Sequence, residues 1–119
     1  MLPREHRLTS GADFRVATRR GRRAGSRTLV VHLWSPQLAV PTIGEPGEPA
    51  RAGFVVSKMV GNAVVRNRVK RRLRHLVRES LSRIPDSGVL VVRALPASAE
   101  ASYAELDRDL SHCLRRVRA

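Results

Sequence analysis

Between Arg66 and Arg78, in the stretch GNAVVRNRVKRRLRHLVRES, lie seven arginine or lysine residues and no acid. A guanidinium offers phosphate a planar fork and offers a base a face to stack on. Such a density of uncompensated cations points to a polyanion, and nucleic acid is the commonest one. Residues able to make or break bonds are sparser. His6, His32, His75 and His112 fall on four different predicted elements, with no ligand spacing. Glu105 and Asp109 are a carboxylate pair at helical spacing, but Glu105 stands three residues after Ser102 and completes a capping box. Capping and solvation therefore account for the pair better than a metal does. A protein nuclease needs clustered carboxylates for metal or a histidine pair for acid–base work, so the sequence predicts no catalytic residue and no metal site. Cys113 is the single cysteine and lies on an apolar helical face. It reads as a buried thiol, with no internal disulfide, compatible with a reducing cytosol.

The whole chain carries a net charge of +13, and all but Lys58 and Lys70 of its 23 basic residues are arginine. A length of 119 residues predicts a single domain, residues 1–119. Its 42% hydrophobic content is enough to fold, and with Phe14, Trp34, Phe54 and Tyr103 the only aromatics, the core must be Leu, Val and Ala. No apolar run is long enough for a membrane span, and MLPREHRLTS lacks the apolar stretch of a secretory signal. The expectation is a soluble, cytoplasmic nucleic-acid-binding domain with no membrane partner.

The elements that would position the cations follow from caps and periodicity. Ser10 and Asp13 open a helix with Phe14 and Ala17 inward and Gly21 at its end. RTLVVHLW is a strand covered on both sides, and RAGFVVSK is a second that can pair with it antiparallel. Between them, residues 35–50 hold four prolines and two glycines, a long loop. Asn62 caps the basic helix, Pro85–Asp86–Ser87–Gly88 turns, and GVLVVRA is hydrophobic enough for a central strand. Ser102 and Glu105 open a closing helix, with Tyr103, Leu106, Leu110, Cys113, Leu114 and Val117 on one face. The predicted class is an α+β layer fold.

On a helical projection Val65, Val69, Leu73, Leu76 and Val77 form the core face of the basic helix. Arg66, Lys70 and Arg74 run as a stripe beside it, Arg68, Arg71 and Arg78 lie further round, and Arg72 lies near the opposite border. Like charges at i, i+4 cost a few tenths of a kcal/mol per pair, which a bound polyanion would relieve. An ordinary solvated face mixes signs, and a membrane-surface helix would carry a Trp or Phe anchor. A DNA regulator would show a helix-turn-helix and a dimer surface. A structural RNA-binding protein of ribosomal type is permitted by the same charge.

SKMVGNAVVRNRVKRRLR, Ser57 to Arg74, closely resembles the signature of the bacterial ribonuclease P protein subunit. HRLTSGADF resembles that family's opening, and RGRRAGSRTLVVHL its first long strand, so that only residues 36–50 fall outside the likeness. The resemblance implies a four-stranded, mostly antiparallel sheet with three helices in the order α-β-β-β-α-β-α and a left-handed βαβ crossover. It implies a protein that binds a catalytic RNA and the 5′ leader of precursor tRNA. The holoenzyme, an endoribonuclease, removes the leader, and the RNA does the chemistry. It assigns Phe14, Val30, His32, Val55, Lys58, Arg66, Lys70 and Arg74 to a leader cleft. It assigns Arg66, Asn67, Arg68, Arg71, Arg72 and Arg78 to the RNA subunit. It implies a monomeric protein, one per RNA, no cofactor of its own, and Mg2+ held chiefly by RNA. The family commonly has an aromatic, a tyrosine and a lysine where this chain has Thr18, His32 and Met59, which removes stacking and charge from the cleft.

Overall fold

The computed structural model describes residues 2–35, 49–85 and 87–118. Helix α1 (Gly11–Arg20) starts where the Ser10 hydroxyl accepts the Asp13 N–H at 3.3 Å. It ends at Gly21, whose N–H donates to the Ala17 carbonyl. A Cβ at position 21 would stand 2.4 Å from the Ala17 oxygen and 2.7 Å from that of Leu33. The chain can therefore turn this tightly from α1 into the sheet only through glycine.

Strands β1 (Arg22–Gly25) and β2 (Leu29–Trp34) form an antiparallel hairpin, which with the strand that follows gives the three strands before the basic helix in the expected order; the likeness of RGRRAGSRTLVVHL to one long strand is corrected to this hairpin. Ser26 makes the turn: its N–H donates to the Leu29 carbonyl, and its hydroxyl accepts the Leu29 N–H. Strand β3 (Arg51–Val55) leads through helix α2 (Ala63–Ser80) to strand β4 (Val89–Ala94), and helix α3 (Tyr103–Arg118) closes the chain. Asn62 caps α2, accepting the Val65 N–H at 3.0 Å. Ser102 and Glu105 cap α3 reciprocally, at 3.1 and 3.3 Å. The turn before β4 is closed by the Gly88 N–H on the Pro85 carbonyl.

The sheet order is β1-β2-β4-β3. The β1/β2 and β2/β4 pairings are antiparallel, and β3/β4 is parallel. The expected antiparallel pairing of β3 with β2 is therefore corrected, because β4 lies between them. A strand reached through a helical crossover returns parallel to its predecessor. β4, apolar on both faces except at Arg93, takes a central place that β3, with Arg51 and Gly53, could not fill. The free edge of β3 is partly covered, as the Leu8 N–H donates to the Ala52 carbonyl at 2.9 Å.

Alternation along the strands divides the molecule into two packed layers. Leu29, Val31, Leu33, Leu90 and Val92 meet Val69, Leu73, Leu76 and Val77 of α2 and Leu106, Leu110, Cys113, Leu114 and Val117 of α3. The opposite face, with Val89 and Val91, is covered in part by Phe14 and Ala17 of α1. The core face expected for α2 is observed, with Val65 only half-buried. Tyr103, expected on the core face of α3, is instead exposed. It sits in the first turn, beside His75 of α2. Of the long loop expected over 35–50, all but Ser35, Pro49 and Ala50 lies outside the described residues.

Candidate nucleic-acid interface

Phe14 projects from α1 onto β3, and Gly53 makes the contact possible. A Cβ there would fall 2.3 Å from the far edge of the Phe14 ring and 3.0 Å from Leu8. Around this ring runs a cleft of about 350 Å³, lined by Arg7, Leu8 and Thr9 on one side and by Lys70 and Arg74 of α2 on the other, with Ala52 and Phe54 of β3 between. Of the eight residues assigned to a leader cleft, the structure thus brings Phe14, Lys70 and Arg74 together.

Val30, His32 and Val55 lie on the sheet face that α1 covers, in two cross-strand rows. The first row runs Gly25, Val30, Arg93, Val55, and the second Arg23, His32, Val91, Gly53. Gly53 and Val55 share one face of β3, so this surface is continuous with the cleft. Lys58, exposed after β3, and half-buried Arg66 do not line the cleft. The rows add two cations that sequence reasoning missed, Arg23 and Arg93, both exposed. The signal for Arg93 was present, as the single charged residue in the otherwise apolar VLVVRA.

His32 is buried between those arginines, with no hydrogen-bond partner for Nδ1. Burial first, then Arg23 and Arg93, holds its pKa below the ordinary histidine value, so the folded protein keeps the ring neutral. The unfolded chain takes up this proton near pH ~6.5, whereas the folded chain takes it up only at lower pH. Stability is therefore unaffected by His32 above that range and declines as pH falls through it, levelling off below the folded pKa. Thermal unfolding of wild type and His32→Gln from pH 8 to pH 5 should show the variant gaining on wild type as the solution is acidified. A difference independent of pH would show that His32 titrates alike in both states.

On the outward side of α2 a second groove, of about 550 Å³, is lined by Asn67, Arg71, Arg72, His75 and Tyr103. Lys70 and Arg74 line this groove as well as the cleft, so their stripe is the ridge between the two. Of the residues assigned to an RNA subunit, Asn67, Arg71 and Arg72 meet here. Arg78 is exposed in the last turn of α2. Arg68 and Arg72 also donate to the protein itself, to the Ala99 carbonyl at 2.9 Å and the Ala101 carbonyl at 3.2 Å. They brace α2 against the segment before α3; Nε of Arg68 is buried without a partner, whereas the remaining donors of Arg72 stay available. Sequence periodicity could not show this, because the acceptors are backbone atoms some 30 residues away.

The two carboxylates weighed as a metal pair, Glu105 and Asp109, are committed elsewhere. Glu105 bridges to Arg27 at 2.6 Å, and the Ser102 cap, more than Arg27, holds its carboxyl below the usual carboxylate value. Asp109 accepts the Thr28 hydroxyl at 2.5 Å. Among the described residues no three of His, Cys, Asp and Glu converge as metal ligands, and no helix is long and apolar enough to cross a membrane. Cys113 is buried, which raises its thiol pKa.

Fold and surface together define a small α+β domain that presents one helix of uncompensated cations between a cleft and a groove. The ribonuclease P family model matches residues 2–118. The chain is 63% identical to the ribonuclease P protein component of a Nocardioides species, over all of this chain and 97% of the relative. It is 56% identical to that of Streptomyces bikiniensis, over 98% and 95%. Among solved structures, the Staphylococcus aureus RNase P protein superposes with a TM-score of 0.76 at 26% identity, covering 96% of this chain and 98% of that one. The Thermotoga maritima RNase P protein shares the fold, with a TM-score of 0.73. The chain belongs to the ribonuclease P protein family.

Proposed function

We propose that this protein binds the catalytic RNA of ribonuclease P and the 5′ leader of precursor tRNA, and so promotes endonucleolytic removal of the leader, the RNA carrying out the chemistry. One observation carries the reading. Lys70, Arg71 and Arg74 have no protein partner among the described residues, and Lys70 and Arg74 flank a cleft that contains an aromatic ring. Backbone phosphates of a single strand suit the cations, and an unstacked base suits Phe14. The protein would contribute binding and positioning, as one copy per RNA. The Mg2+ that such a holoenzyme uses does not fit this chain. Glu105 and Asp109 are engaged with Arg27, Ser102 and Thr28, and the face of α2 would repel a cation. The metal would be held chiefly by RNA phosphates.

The test is reconstitution. Purified, RNA-free protein should leave precursor tRNA intact, and adding the transcribed catalytic RNA should give 5′ cleavage at low magnesium, where neither component alone cuts. Metal-dependent cleavage by the RNA-free protein would overturn the assignment of the chemistry to RNA.

A further inference from the structure

Tyr103 stands in the first turn of α3, 38% exposed, although its spacing matches that helix's core face. Its hydroxyl lies 2.6 Å from Nδ1 of His75, and the two rings are 5.9 Å apart with their planes inclined at 51°. The contact holds the phenol ring over α2, at the wall of the outward groove. Asn67, Lys70, Arg71 and Arg74 surround that groove, and their side chains make no hydrogen bond or ion pair to the protein among the described residues. Partial burial first, then Glu79 and Asp107, holds the phenol pKa above its ordinary value, so the hydroxyl is neutral.

An acidic peptide could use these cations but would have no need of an oriented, half-exposed aromatic ring. A single-stranded nucleotide uses both, since bases stack on aromatic faces whatever their identity and arginines take the flanking phosphates. The geometry points to a nucleotide subsite in which an unpaired nucleotide of the catalytic RNA stacks its base on Tyr103 while Arg71 and Arg74 hold its phosphates. The RNA subunit, not the leader, is the source, because the groove lies across the Lys70–Arg74 ridge from the Phe14 cleft. This rests on the reading that the protein assembles with that RNA.

Two measurements test the subsite. The chain has one tyrosine, so protein labelled with 3-fluorotyrosine gives a single ¹⁹F resonance that reports on position 103. A short single-stranded oligouridylate should shift it far more than an abasic oligonucleotide with the same number of phosphates. Equal shifts, or none with either, would overturn stacking. In assembly with the transcribed catalytic RNA, Tyr103→Ala should weaken binding roughly five- to hundredfold. Tyr103→Phe, which keeps the ring, should stay within about twofold of wild type, with unfolding temperatures confirming that both variants fold. Equal losses in both variants would assign the effect to the hydroxyl and its His75 bond, and sink the proposal. So would intact assembly of Tyr103→Ala with weakened precursor binding, which would give the groove to the substrate. If wild type itself fails to bind the RNA, the reading beneath the proposal fails instead.

Discussion

If the Phe14 cleft takes the 5′ leader as proposed, Gly53→Ala is expected to abolish most of the holoenzyme's preference for precursor over mature tRNA without touching a single charge. The new methyl group would stand 2.3 Å from the Phe14 ring and 3.0 Å from Leu8. The β3 backbone cannot withdraw, because Ala52 is bonded to the Leu8 segment on one side and paired with β4 on the other. The ring must swing off the sheet, and overpacking of this kind costs about 1–3 kcal/mol of stability. Loss of one aromatic stacking surface is worth about 1–3 kcal/mol per base, so the precursor-to-mature affinity ratio of the holoenzyme should fall roughly tenfold. Assembly with the RNA should change little, since the groove residues of α2 are not displaced. Phe14→Ala separates the causes. If Gly53→Ala acts by moving the ring, the two changes together should lose no more preference than either alone. Full additivity, or an unchanged preference in Gly53→Ala, would show that the ring is not what reads the leader.

The features legible in the sequence were those set by local chemistry. Ser10, Asn62 and the Ser102–Glu105 pair cap helices because each hydroxyl, amide or carboxylate bonds a donor three residues away, and that spacing is written in the chain. The buried face of α2 follows from helical period alone. Sheet order was less accessible. The alternation of RAGFVVSK says which residues share a face but not which neighbour accepts the strand, and the crossover through α2 decides that. The residue pattern alone did not show the β1–β2 hairpin, because its turn is closed by Ser26 without a paired glycine and asparagine. Tyr103 kept helical register with the core, yet it stands exposed in the first turn, where His75 of α2 holds it. For the site, the cations of α2 were plain, and their division between two surfaces was not. Arg66, in register with Lys70 and Arg74, does not reach the cleft, and Arg68 and Arg72 turn donors toward carbonyls of a distant segment.

That division sets the expected behaviour of the ridge. Assigning Lys70 and Arg74 wholly to the substrate predicts that their loss spares assembly. Their position between cleft and groove predicts otherwise. Lys70→Ala with Arg74→Ala should weaken assembly with the catalytic RNA and, in the assembled enzyme, weaken precursor binding more than mature tRNA binding. Arg71→Ala, which lines the groove alone, should weaken assembly and leave the precursor-to-mature ratio unchanged. Salt titrations distinguish specific phosphate pairing from a general drop in charge. Each single-strand phosphate that is no longer neutralised should reduce the slope of log affinity against log salt by about 0.7. The ridge variant should show that reduction both in protein titrated into RNA and in holoenzyme titrated into precursor. The Arg71 variant should show it only in the first. If every variant lowers both slopes in proportion to net charge removed, α2 acts as an undivided electrostatic surface. If the ridge variant changes only the precursor titration, its two side chains turn into the cleft when RNA binds, and the groove beside Tyr103 must hold its phosphates with Arg71 alone.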